Sequence, residues 1–99
     1  MKTERFDEIV KEQVNRSIDV LVAKAKEYAT DDRLHNFKTA AVLEHKTPVQ
    51  ALEGMMAKHT VSIYDMCDAG DRDIAKWNEK ITDSINYLLL LSALIREDE

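Results

Sequence analysis

Three groups of side chains in this sequence have the types and spacing to do chemistry. In the segment WNEKITDSINYLLLL, Trp77 to Leu91, the residues Glu79, Asp83 and Asn86 recur at intervals of four and three, in line with Leu90. At roughly 100° per residue on a helix they fall within about 60° of one another. Two carboxylates one turn apart can hold Mg²⁺, which takes oxygen ligands on a rigid scaffold. The same row also reads as a solvated face that ends where a partner covers it.

A second group lies in GMMAKHTVSIYDM, where Lys58, Ser62 and Asp65 form a row beside an apolar stripe and His59 falls in its middle. A histidine there is either a packed ring with one hydrogen bond or, with Lys58, a contact for a ligand phosphate. The third group is KAKEYATDDRLHNF, Lys24 to Phe37. Lys24, Glu27 and Asp31 fall together near a helix end, and Arg33, His35 and Asn36 follow within two turns. Cations and carboxylates at one junction suit a metal-plus-phosphate site, while Asp31 and Asp32 also serve as simple helix caps. No phosphate-cradling glycine loop and no His-Glu-x-x-His pair occurs. Cys67 is the one cysteine, which excludes an internal disulfide and a cysteine-based zinc site.

The elements that must carry these groups are helices. The 99 residues fit one domain, 1–99, and with 44% apolar and 33% charged residues the chain reads as globular. Two glycines and one proline are too few for the turns of an all-β chain. The apolar residues Val10, Val14, Ile18, Leu21, Ala25 and Tyr28 predict a long first helix over about 4–29 with one buried stripe. A short helix follows over about 34–45, burying Leu34, Phe37, Ala41 and Leu43. Thr47-Pro48-Val49-Gln50 reads as a capping box opening a third helix to about Cys67, with Val49, Leu52, Met55, Met56, Ile63 and Met66 inside. Gly70 breaks it, Asp71 or Asp73 caps the fourth, and Ile74, Trp77, Ile81, Ile85, Leu88 and Ile95 form that helix's stripe to about Arg96. Short links predict antiparallel neighbours. The fold class is therefore all-α, a four-helix bundle with a long first helix. The surplus apolar surface of Leu88 to Leu91 predicts completion by homo-oligomerisation, a homodimer by default.

The formal net charge is −5 and the isoelectric point about 5.2, with no basic cluster. That argues against general nucleic-acid binding, which needs cations to replace counterions along the phosphates. No apolar run approaches the ~20 residues that span a bilayer, and the first residues carry no apolar signal core, so a cytoplasmic location without membrane contact is expected.

The segments AKEYATDDRLHNF, GMMAKHTVSIYDM and WNEKITDSINYLLLL together resemble small phage and prophage proteins of Gram-positive bacteria, over roughly Lys24 to Glu97. More remotely, the chain is similar to MazG-like all-α nucleotide pyrophosphohydrolases in the order Glu27-Tyr28, Asn36-Phe37, Met55-Met56-x-Lys58, then Glu79 with Asp83 and Asn86-Tyr87. That resemblance implies an oligomeric bundle, a nucleotide ligand, and Mg²⁺ held by Glu27, Glu79 and Asp83 while water attacks between phosphates. Lys58 would meet phosphate, and Tyr28, Arg33, His35, Asn36, His59 and Asn86 complete the ligand contacts. The pattern departs from the family's acidic signature: no Glu-x-x-Glu occurs, and Lys80 takes the first acidic position before Asp83. Three functions follow as expectations: a metal-dependent nucleotide pyrophosphohydrolase in the host cytoplasm, a related bundle that sequesters a nucleotide without hydrolysis, or a helical module that binds and inhibits a host defence protein.

Overall fold

In a computed structural model that describes residues 1–27 and 30–97, the chain forms α1 (Thr3–Ala25), α2 (His35–Glu44), α3 (Pro48–Ala69) and α4 (Ile74–Arg96). The local signals for α3 and α4 act as read. Thr47 Oγ1 accepts from Gln50 N–H at 3.2 Å while Gln50 Oε1 accepts from Thr47 N–H at 3.0 Å, the reciprocal capping box. Gly70 ends α3 in the left-handed region, φ 65°, where a side chain would be strained. Asp73 then caps α4 by accepting from Lys76 N–H at 3.2 Å. Trp77 clamps the same turn, its indole N–H donating to the Asp71 carbonyl at 2.7 Å.

Two boundaries have other causes. Lys26 and Glu27 form a turn after α1, so this helix stops earlier than the apolar periodicity suggests. α2 closes on His45, a non-glycine residue at φ 57°, with Lys46 N–H reaching back to the Ala41 carbonyl at 2.9 Å.

The core sits where α2, α3 and α4 meet. Leu34, Phe37 and fully buried Leu52 form its centre, with Met55, Met56, Tyr87, Leu90, Leu91 and Leu94 packed on them. Burying a leucine such as Leu52 contributes about 1.5–3 kcal/mol. α3 and α4 run antiparallel from the turn at Gly70, so the start of α3 lies beside the end of α4.

Helix α1 is placed differently. Among the described residues it packs on α4 alone, and the two run parallel: Gln13 bonds Thr82, while Lys24 shares a cavity with Asn86 and Leu90. Their seam is polar. Gln13 Nε2 donates to Thr82 Oγ1 at 2.9 Å and to Ser17 Oγ at 3.2 Å, and Arg16 donates to Gln13 Oε1 at 3.0 Å. Ser17 and Thr82 are both buried.

This arrangement overturns several burial expectations. On α1, Val10, Val14 and Ile18 are about half exposed (43%, 50% and 51%), and Ala25 is exposed too; Leu21 alone of that described stripe is half-buried. On α4, Ile74, Leu88 and Ile95 are exposed, because the helix turns Tyr87, Leu90, Leu91 and Leu94 inward instead. Leu43 and Val49 also face solvent, while α2 buries Phe37 and Ala41 and α3 buries Ala51, Leu52 and Met66.

Candidate functional site

The inward turn of α4 decides the fate of the polar row. Glu79, a turn from the helix start, is exposed; Asp83 is half-buried; Asn86 is 6% exposed; Leu90 closes the row against the core. The row therefore descends into the molecule instead of lying along its surface.

Where it descends, α1, α2, α3 and α4 enclose a cavity of about 140 Å³. α1 supplies Val20, Leu21 and Lys24; Arg33 stands before α2, which adds Asn36 and Phe37. α3 contributes Met55, and α4 contributes Asp83, Asn86, Tyr87 and Leu90. Two cations, one carboxylate and two amides thus share a space whose remaining walls are apolar and aromatic.

Asn86 stands out chemically. Among the described residues its Oδ1 is buried without a hydrogen-bond partner, as are His59 Nδ1 and Ser84 Oγ outside the cavity lining. A buried amide oxygen left unpaired costs about 1–3 kcal/mol, a cost that a ligand donor would relieve. Asp83 has a neighbour behind it: its Oδ2 lies 3.8 Å from His59 Nδ1, and the His59 ring stands 5.1 Å from that of Tyr87 at a 38° tilt. His59 is thus half-buried and packed, one layer back from the cavity wall.

Of the residues expected from sequence, the structure brings Arg33, Asn36, Asp83 and Asn86 together, with His59 in support. Lys58 is exposed on α3, outside the cavity lining. His35 is exposed at the start of α2, its Nε2 3.3 Å from Thr39 Oγ1. Tyr28 lies outside the described residues. Asp32 takes a structural role: it accepts from Leu34 N–H at 2.9 Å and pairs with Lys38 at 2.6 Å, tying the approach of α2. Lys38 also meets Glu97 beyond α4. Lys38 beside it, with the Leu34 N–H, holds the Asp32 carboxyl below its ordinary range, and Asp32 followed by Glu97 raises Lys38.

The three carboxylates expected to hold Mg²⁺ do not line one cavity. Glu27 is exposed past the end of α1 and Glu79 is exposed on α4, so neither joins Asp83 in the cavity lining. Among the described residues no group of three or more His, Cys, Asp or Glu side chains can hold a metal. Lys24 and Arg33, which share the cavity with Asp83, would also repel a bare cation.

Met55 and Tyr87, which the sequence offers as members of the Met55-Met56-x-Lys58 and Asn86-Tyr87 motifs, form cavity walls, and Lys24, expected at a metal-plus-phosphate junction, lines the same space. The contact of Lys24 with α4 depends on the parallel seam, for which the sequence carries no local signal. The chain matches no protein-family model, no curated protein and no solved structure. Among the described residues no helix is long and apolar enough to cross a membrane.

Proposed function

We propose that this protein binds a nucleotide, with the base inside the cavity and the phosphates at its rim, and that it sequesters this ligand instead of hydrolysing it. The observation that carries the reading is Asn86, a buried amide with an unpaired acceptor in a space lined by Phe37, Tyr87, Lys24 and Arg33. An amide offers an acceptor beside a donor, the complement of a nucleobase edge. Phe37 and Tyr87 supply apolar ring surface for the base, and Lys24 and Arg33 supply charge for the phosphates. About 140 Å³ is less than the roughly 300–1,000 Å³ that encloses a drug-sized ligand, so one ring system enters and the charged tail stays outside. The donor set supports binding over metal-dependent turnover, because the carboxylates are dispersed.

The test is a thermal-denaturation panel of nucleosides, nucleotides and inorganic pyrophosphate, each with and without Mg²⁺, with pyrophosphate release followed in parallel. A nucleotide at a hundred times its Kd should raise Tm by roughly 10–20 °C. Its nucleoside should bind more weakly, Lys24→Ala should narrow that gap, and Mg²⁺ should be dispensable. A panel without any shift rejects nucleotide binding; turnover that needs Mg²⁺ rejects sequestration in favour of hydrolysis.

A further inference from the structure

We infer that the apolar face running along α1 and α4 is closed by a second copy of this chain. On α1, Phe6, Val10, Val14, Ile18 and Val22 follow one another at four-residue intervals, and every one is between 43% and 58% exposed. On α4, Ile74, Leu88 and Ile95 are exposed on the side turned away from the core, with Ile81 and Ile85 half-buried between them. The two stripes meet in an open groove of about 590 Å³, walled by Ile9, Val10 and Val14 from one helix and Ile74, Ile81 and Ile85 from the other.

A helix in water is held mainly by burying its apolar face. Here α1 turns a polar edge, Gln13 and Ser17, to its one neighbour and leaves the apolar stripe open. The sequence has thus placed the burying surface of α1 where none of the described residues of this chain covers it. Eight large apolar residues, Phe6, Val10, Val14, Ile18 and Val22 on α1 and Ile74, Leu88 and Ile95 on α4, are each 43–69% exposed along two adjacent helices. A continuous surface of this kind marks an interface, unlike the scattered single apolar residues of an ordinary monomer.

The rim of the groove favours a self-match. Arg5 and Arg16 stand on it with Glu12. A two-fold interface sets a patch against itself, so the patch must carry both signs to avoid facing like charge with like. A partner of strong single-sign charge would be matched by a rim of the opposite sign. An anionic lipid surface is disfavoured by the chain's own charge of −5. Two copies joined this way place four long helices, two α1 and two α4, around a shared apolar centre.

Sedimentation equilibrium on the whole chain between about 1 and 100 µM tests this, read against the 11.4 kDa of one copy. The wild type should give twice that mass. Val14→Glu should give the single mass with its helical circular dichroism kept, and Val14→Ser, a milder change, should weaken association at least about tenfold while folded. Leu43→Glu, on the exposed side of α2, should remain dimeric. A monomeric wild type overturns the inference, including one that instead captures a different protein through this face. So does a dimer that survives both Val14 substitutions.

Discussion

Asn86 is the residue at which stability and function pull apart. Its amide oxygen is buried without a partner among the described residues, so Asn86→Leu, close in volume and apolar, should raise the stability of the ligand-free protein by about 1–3 kcal/mol. The same substitution should abolish the Tm shift given by nucleotides; chemical denaturation with and without ligand checks both halves. The Asp32–Lys38 pair has a distinct pH signature. Asp32 is lowered below its ordinary 3.8, so its contribution is present above that pH and lost as pH falls through the folded value. Lys38 is raised above its ordinary 10.5, so its contribution is full below that pH and lost as pH rises through the folded value. The Tm difference between wild type and Lys38→Met should therefore be flat between about pH 5 and 9 and shrink at both extremes. Both side chains are well exposed, so the flat difference should be small. Residues that act on their own backbone, Thr47, Gln50, Gly70 and Asp73, were legible from sequence because a cap needs only its nearest neighbours. His45 was not: a left-handed histidine carries no signal of the kind that glycine gives.

At the scale of elements, periodicity found all four helices and the apolar residues on each. It could not say which apolar arc faces inward, because α1 and α4 each carry more apolar surface than one interface uses. The polar row of α4 shows the consequence. Glu79 to Asn86 has the spacing of a surface row, yet Asp83 and Asn86 point inward because Tyr87, Leu90, Leu91 and Leu94 meet α2 and α3. The candidate site was half legible for the same reason. Arg33 and Asn36 near the start of α2 and Asp83 and Asn86 on α4 line one cavity, whereas the metal triad requires Glu27 and Glu79 to converge across helices whose packing periodicity does not specify. The α1–α4 seam makes its own prediction. Gln13→Ala removes the group that joins Ser17 to Thr82 and leaves two buried hydroxyls short of a partner, which should cost about 1–3 kcal/mol. Urea denaturation should register this loss, and Glu8→Ala, an exposed ion-pair residue on the same helix outside the groove lining, should change stability by under about 1 kcal/mol.

For the whole molecule, association and folding are one equilibrium if the open face of α1 and α4 is closed by a second copy. Tm should then climb with protein concentration, by roughly 3 °C for each tenfold rise, and Val14→Glu should remove that slope. Scanning calorimetry at several concentrations measures it directly. The parallel seam has one more consequence, which concerns time. Gln13 and Thr82 are separated by 69 positions, so α1 has its partner on a helix that is synthesised after α2 and α3. Closing so long a loop is slow compared with forming the α3–α4 hairpin, and at about 5–20 residues per second synthesis takes several seconds to supply α4. During that interval the Gln13–Ser17 edge of α1 lacks its α4 partner, and pulse-labelled hydrogen exchange should show α1 protected after α2, α3 and α4.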